Sequence, residues 1–563
     1  MKGKFVRAAR AAVVLALMVG CTPMDPTIIP VSGQLPLKYT GPSTGPAITA
    51  GDLMTRLYIF SDDSMLGRRA GDVGNLKGTA YIEREVRKIG LIPAGENGTY
   101  LQDVPLIRRL PAASLRFGGD SLILNTDFVV ADPRAVIRRF SGLPVIYAGK
   151  VGQPGAELIT AEQASGKIVV VTGFPRAVIP MLRSASAILY VDDANFGVMR
   201  RGGRGGVMIR PRVDTTTAAA PFVIPVATAT KIFGVPFENV RPGTMGQVLT
   251  GSLSFTEIPL PGRNVVAVLP GSDPVVKGQY VVLGAHNDHI GIRAGGSLEH
   301  DSVRAYNKAV ERIVIDRTGL VPSLPGRPGS AEQAQWLAGI KVNVDSLRAL
   351  RPGRLDSVYN GADDDGSGSV GLLELAEYFA SLPVKPKRSI LFVWHTGEEA
   401  GLLGSRWFTD NPTVPLDSVV GAVNMDMVGR GAGSERGKSD RYVSLLGSRR
   451  ISKEMGDIVD AINTKPQHKL EFDYQFDAPG HPERFYCRSD HWNYARMGVP
   501  VTFLSGGNHV DYHQLTDEAQ YIDYPQFTRV ILLAEDIVQT IANLDHRLVR
   551  DKPKPAPDTP CVQ

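Results

Sequence analysis

The sequence predicts an α/β fold built on a mixed, mostly parallel sheet with flanking helices, and three observations predict it. From Asn264 onward, strand-length apolar runs alternate with helical patterns, the order that winds a largely parallel sheet. A run such as Tyr280-Val-Val-Leu-Gly-Ala285 is almost continuously apolar, as a strand covered on both faces has to be. Four strand ends supply histidines or carboxylates, and open α/β sheets gather their sites at the C-terminal ends of strands. The 563 residues exceed one ordinary core, so two or three domains are expected. Hydrophobic residues at 43% and charged residues at 21% mark a folded chain. The net charge of +5, without a long basic run, argues against nucleic acid as a partner.

Taken in order, the chain opens with Lys2, Lys4, Arg7 and Arg10 ahead of an apolar run from Ala11 to Val19, which is too short to span a bilayer and has the shape of a secretory signal. It ends Met18-Val-Gly-Cys21, small residues before a cysteine that resemble the bacterial lipobox. Residues 1–21 are therefore expected to direct export. The product is either an envelope lipoprotein in the periplasm or outer membrane, touching membrane only through a lipid on Cys21, or a secreted protein. Residues 22–48, rich in Pro, Thr and Gly, suit a flexible tether. Cys487 and Cys561 remain, and they either pair in an oxidising compartment or stay as buried thiols.

Structure is expected from Thr49, with a helix near Asp52 to Phe60 and a second one through Tyr81 that Gly90 stops. Between 106 and 258 the texture changes to short β-rich runs, including Pro144 to Ala148, Lys167 to Thr172, Ala187 to Val191 and Pro221 to Val226, parted by Gly and Pro. These runs predict a separate β-rich domain inserted into the catalytic one, and the entry Ser165-Gly-Lys-Ile-Val-Val-Val resembles the protease-associated domain. Residues 259–548 carry the α/β pattern, with strands near Asn264, Tyr280, Ser389, Gly421 and Val501 and a closing helix from Tyr524 to Leu548, ahead of a tail at 549–563. A long insertion at about 291–358 has helical patterns near Ser302 to Ile315 and Ala331 to Leu350. It either caps the site or decorates the surface.

The chemistry follows the strand ends. Tyr280 to Ala285 delivers His286-Asn-Asp288, and residues two apart on an extended strand point the same way, so Asp288 is placed to orient the His286 imidazole. The next strand runs into His395-Thr-Gly-Glu398-Glu399, where one glutamate is available to bind metal and the other to take a proton. Asp426 follows a third strand, and Asp511-Tyr512-His513 follows a fourth. Between them stands Asn360-Gly-Ala-Asp363-Asp364-Asp365-Gly-Ser-Gly, three adjacent carboxylates that need a cation or full solvation, ahead of an apolar run predicted to be an amphipathic helix. Each feature alone has an ordinary structural explanation: a hydrogen-bonded loop residue, a solvated turn, or an acidic helix start. Their convergence at several strand ends points to a metal centre. Gly366-Ser-Gly-Ser-Val-Gly371 matches a dinucleotide-binding spacing but lacks the strand that motif needs before it, so that reading is rejected.

The series His-x-Asp, Gly-Ala-Asp-Asp-Asp-Gly-Ser-Gly, Glu-Glu-x-Gly-Leu-x-Gly-Ser, Asn-x-Asp-Met and Tyr-His resembles the co-catalytic di-zinc exopeptidases, metallopeptidase family 28, which contains leucyl aminopeptidases and glutamate carboxypeptidases. The resemblance covers Thr49 to about Leu548. It implies a zinc-exopeptidase fold of phosphorylase/hydrolase-like type, two Zn2+ per chain and a peptide substrate cleaved by a water bridging them. One zinc would be held by His286 and Asp426, the other by Glu399 and His513, with Asp364 between them. The same resemblance makes Glu398 the general base, Asp288 a carboxylate standing behind the metal ligands and Tyr512 the oxyanion donor, and it implies a cis peptide between Asp364 and Asp365. Asp365 becomes a support. Ser489-Asp490-His491 resembles a further family motif, with Ser489 as a helix cap for Asp490 to Met497 the simpler explanation. An aminopeptidase is the leading expectation. The rivals are a carboxypeptidase, for which Arg430, Arg484, Arg488 and Arg496 are candidate carboxylate holders, a metal-free binding protein on this fold, and a single-zinc acyl-transferring cyclase.

Overall fold

The computed structural model describes residues 35–151, 155–173, 182, 184–200, 206–210, 219–319, 331–431, 441–556 and 560–563. The segment expected to direct export, Cys21 and the first part of the expected tether lie outside the described residues. The tether expected over 22–48 ends early: Leu35 is buried, Tyr58 donates a 2.5 Å hydrogen bond to the Pro36 carbonyl, and Lys38 pairs with Asp62 at 2.6 Å. A few apolar and polar contacts per turn are enough to lay such a segment along a helix.

A nine-stranded sheet forms the centre. Its strands are β1 (Ile92–Pro93), β2 (Leu101–Asp103), β3 (Arg263–Leu269), β4 (Tyr280–His286), β5 (Ser389–His395), β6 (Val419–Met425), β7 (Tyr442–Leu446), β8 (Glu471–Asp473) and β9 (Val501–Ser505). They lie in the order β1-β3-β5-β4-β6-β9-β7-β8, with β2 also on β3. The inner run β5-β4-β6-β9 is parallel, so four C-terminal ends open on one edge, while β3 and β7 join it antiparallel. Alternation divides β4 between two cores: Val281, Leu283 and Ala285 face one, and Val282 the other. The sequence did not single out β7 and β8, whose few residues at a sheet edge carry little periodic signal.

Among the helices that fill the larger core are α1 (Ala50–Phe60), α2 (Val73–Ile89), α3 (Gly368–Ser381) and α4 (Tyr524–Asn543), and the helix Lys453–Asn463 adds Met455, Val459 and Ile462. Thr49 caps α1, and Gly90, at φ 87°, ends α2 as expected. Helix α3 departs from its amphipathic expectation, because every residue from Gly368 to Ala376 is buried. It lies between α1, α2, α4 and the sheet. Its one buried acid in this stretch, Glu374, pairs with the buried Arg56 of α1 at 3.1 Å. The closing helix stops at Asn543, short of Leu548.

The β-rich stretch leaves and rejoins the α/β domain through one ladder, in which Leu106–Phe117 pairs antiparallel with Leu249–Leu260 from Leu106↔Leu260 to Phe117↔Leu249. These two strands belong to one five-stranded sheet, a second five-stranded sheet is built entirely from the chain between them, and the stretch has apolar clusters of its own. The later insertion is tied at its base by Gly291–Ile292 against Val358–Tyr359 and by Leu298–Glu299 against Leu355–Asp356. Its first helix is His300–Thr318, while the pattern expected as one helix from Ala331 to Leu350 is broken into Ala331–Leu337 and Val344–Leu350. Gly339 and the β-branched Ile340 and Val342 weaken the join, and Asn343 starts the second piece by accepting from the Ser346 amide.

Cys487 and Cys561 form a disulfide with an S–S distance of 2.08 Å across a separation of 74 residues. Closing a loop of that length restricts the unfolded chain by about 4 kcal/mol in the entropy model. Cys561→Ser is expected to lower the free energy of unfolding by about that amount in denaturant titration. A change below about 1 kcal/mol would show that the bridge does not constrain the unfolded chain as that model requires.

Candidate metal centre

Asp364 sits at the centre of the open sheet edge, 3% exposed, with its two carboxylate oxygens facing different partners. Oδ1 lies 3.2 Å from His286 Nε2, which is also 3.5 Å from Asp426 Oδ1. Oδ2 lies 2.9 Å from His513 Nε2, which is 2.9 Å from Glu399 Oε1. Two groups of donors therefore share one carboxylate: His286, Asp364 and Asp426 on one side, and Asp364, Glu399, His513 and additionally His289 on the other. The Asp364–Asp365 peptide is cis.

The flanking carboxylates hold backbone in place. Asp365 accepts from the amides of His286 (2.9 Å), Gly368 (2.9 Å) and Met427 (3.2 Å), joining the ends of β4 and β6 to the start of α3. Asp363 accepts from the Gly429 amide at 2.7 Å and faces His509 Nε2 at 3.0 Å. The His509 Nδ1 accepts from the Asp511 amide, which leaves the ring proton of the neutral imidazole on Nε2. The Asp517 carboxylate accepts from the amides of both Asp363 and Asp364.

Asp288 departs in detail from its expected role. His286 Nδ1 lies 3.0 Å from the Asp288 backbone carbonyl, whereas the Asp288 carboxylate is 3.7 Å from that nitrogen and accepts from the Glu398 amide at 3.1 Å. The carboxylate thus positions Glu398, and the main chain orients the imidazole. Ser489 does not cap a helix. It donates to Asp426 Oδ2 at 2.7 Å and accepts from Asn424 at 2.9 Å, and the short helix His491–Ala495 starts without a side-chain cap. Asp490 is buried beside this cluster, and burial first, then neighbouring acids, push its carboxyl up to about 7. His491 stacks on Phe503 with centroids 4.6 Å apart, and burial holds its imidazole down to about 3, so it is a neutral packing ring away from the donors.

The donors are built for positive charge. Burial opposes ionisation of Asp364, yet His286, His289 and His513 hold its carboxyl well below the usual range. Against the same penalty, His513 and His289 bring Glu399 down to about 2. Burial alone would discharge the imidazoles, but Asp426 and Glu398 raise His286 well above its ordinary value, and Glu399 with Asp364 lifts His513 to about 9. His286 Nε2, Asp364 Oδ2 and Glu399 Oε1 are buried without a hydrogen-bond partner. Buried polar atoms left unpaired are costly, and imidazoles and carboxylates converging in this way fit divalent cations. Glu398 stands apart from the tight contacts, with Oε2 4.0 Å from His286 Nε2, and burial followed by the Asp426 and Glu399 charges pushes its carboxyl well above the usual range.

A cavity opens on this cluster, lined by the acidic Asp364, Glu398 and Asp426 and by the apolar Met427, Phe485 and Phe503. Tyr512 also lines it and accepts from Arg488 Nη2 at 3.1 Å, which leaves the phenol proton free to be donated. Burial keeps that phenol protonated, raising it well above its ordinary value. The 291–358 insertion contributes none of the described residues that line the cavity. It instead grips the loop that carries Tyr512 and His513: Arg304 pairs with Asp511, Asn307 donates to Gln514 at 3.3 Å, and His300 and Arg354 meet Glu518 at 2.8 and 2.7 Å.

His289 and His509 were not among the residues expected from the sequence. The two-residue period of a strand brings Asp288 into view and turns His289 away, but β4 ends at His286 and the period ends with it. The spacing His286-x-x-His289 was the available signal.

Residues 344–538 match the model of peptidase family M28. Leucine aminopeptidase 1 of Arthroderma otae is 29% identical over 234 residues, 40% of this chain and 57% of that protein. Leupeptin-inactivating enzyme 1 of Streptomyces exfoliatus is 26% identical over 236 residues, 40% of this chain and 48% of that protein. The chain thus spans about half the length of the curated relatives it matches. The aminopeptidase from Aneurinibacillus sp. strain AM-1 superposes with a TM-score of 0.50 at 16% identity, covering 90% of this chain and 97% of that one, a likeness of fold. The match to the peptidase family M28 model spans α3, β5, β6, β9 and every donor after Asn360.

Proposed function

We propose that this chain is a metal-dependent exopeptidase that removes N-terminal residues from peptides with the help of two zinc ions. Asp364 carries this reading, since its two oxygens face separate imidazole and carboxylate groups 3.2 and 2.9 Å away in a buried pocket. His286, Asp364 and Asp426 would hold one cation, and Glu399, His513 and the same Asp364 the other. Cations bound there would polarise the scissile carbonyl and make a water nucleophilic at neutral pH. Glu398, fixed through its amide by Asp288, takes the proton from the attacking water and returns it to the leaving amine. The Tyr512 hydroxyl, steadied by Arg488, donates to the oxyanion.

The apolar residues Met427, Phe485 and Phe503 that line the cavity suit an apolar substrate side chain. A carboxypeptidase would need a cationic cluster, and Arg488 is the only arginine among the cavity residues. Of its rivals, Arg430 pairs with Asp511, Arg496 with Asp410, and Arg484 donates to the Cys561 carbonyl. The Cys487–Cys561 bridge supports export to an oxidising compartment. Among the described residues no helix is long and apolar enough to cross a membrane.

A free leucyl anilide is expected to be hydrolysed at least about 10²-fold faster than an N-blocked dipeptide, because a site that takes a free terminal amine has no partner for the blocking group. The reverse preference would replace the aminopeptidase with a carboxypeptidase.

A further inference from the structure

We propose that His289 is a direct ligand of the second cation, so that this site has four protein donors, His289, Asp364, Glu399 and His513, against three on the other side. The inference rests on the two-cation reading above and adds to it a residue outside the donor set that the family resemblance implies.

His289 is fully buried, and its Nδ1 lies 2.9 Å from Glu399 Oε1 and 3.6 Å from Asp364 Oδ2. Its ring meets that of His513 edge-on with centroids 5.6 Å apart, and one ligand atom from each of His289, Asp364, Glu399 and His513 lies within 4.8 Å of the others. Neither ring nitrogen of His289 has a hydrogen-bond partner, so the close approach to Glu399 is not an aligned hydrogen bond. A buried imidazole with both nitrogens unpaired, aimed between two carboxylates, is left unsatisfied unless a cation lies there.

The surrounding chain fixes that ring. Its backbone amide donates to the Arg68 carbonyl at 3.3 Å, and Arg68 in turn donates to the carbonyls of Asn360 and Gly361 at 2.7 and 2.8 Å. Gly361 presses its backbone against the imidazole, because a Cβ there would stand 2.5 Å from His289 Cγ. Glycine at 361, in the left-handed region at φ 55°, thus serves both the turn into Asp364 and the seat of the ring.

Four protein donors satisfy a tetrahedral zinc, whereas three leave a position for water or substrate. The Glu399 side is therefore the site that fills first and empties last, and the Asp426 side, next to Glu398, is the open one.

The test is zinc binding to chelator-stripped full-length protein, read by competition with a chromophoric chelator and by X-ray absorption. Wild type is expected to bind two zinc ions, with two imidazoles on the metal when one equivalent is present. His289→Ala is expected to lower the affinity of the tighter class by more than about 10²-fold, beyond the 10- to 100-fold loss typical of a residue that only orients a ligand. Two zinc ions bound with one imidazole on the first, or a loss below about 10²-fold in a folded variant, would overturn the ligand role and leave the two-cation site standing. Fewer than one zinc per wild-type chain would remove both. The wild-type absorption result decides the ligand role even if the variant does not fold.

Discussion

Replacing Glu398 by Gln is expected to lower kcat by about 10³-fold while both cations remain bound. The amide has almost the same shape as the carboxylate but cannot accept a proton, so substrate and metals still fit and only the proton transfer is lost. The structure isolates that function well: Glu398 Oε2 stays 4.0 Å from His286 Nε2, while its neighbour Glu399 makes the close contacts to His513 and His289. The backbone that aims Glu398 is held by the Asp288 carboxylate at 3.1 Å, so Asp288→Asn should give a smaller loss in kcat with metal content intact. Steady-state kinetics alongside metal analysis check both. Near wild-type turnover by Glu398→Gln with two metals present would transfer the base role elsewhere.

Asp364→Asn is expected to have the larger effect on the protein as a whole. It replaces one of two acceptor oxygens with an amide donor, so one of the two histidine groups loses its shared ligand and faces an N–H instead. Metal content should fall from two to one or fewer per chain, and hydrolysis by more than about 10³-fold, since the proton acceptor and the carbonyl polariser both depend on that geometry. The fold should survive, because Asp363, Asp365 and Asp517 hold the local backbone through their own hydrogen bonds. Circular dichroism and metal analysis on the same sample separate loss of metal from loss of structure.

The strands of the inner sheet were open to inference because buried parallel strands are apolar runs, and Tyr280 to Ala285, Ser389 to Trp394 and Val501 to Leu504 are such runs. The positions of His286, Asp364, Glu399, Asp426 and His513 followed from strand ends and from the resemblance of the motif series. What the sequence hid depended on where regular geometry stops. His289 lies three residues past His286, the last residue of its strand, where no period assigns a direction. Ser489 precedes a helical pattern, the usual place of a cap, but its hydroxyl donates at 2.7 Å to Asp426, a partner 63 residues away in sequence. The early docking of residues 35–48 rests on single contacts such as Tyr58 to Pro36, which leave no pattern in composition. The grip of the 291–358 insertion on the loop of Tyr512 and His513 consists of polar pairs such as Arg304 with Asp511 and Arg354 with Glu518, and no sequence rule brings those together.

The most direct test of the shared carboxylate is anomalous diffraction at the zinc edge from crystals of the zinc-loaded protein. Two peaks about 3.5–4 Å apart, one between His286 and Asp426 and the other between Glu399 and His513, with Asp364 bound to both, are the expected result. A single peak, or two peaks of which Asp364 touches only one, would contradict it.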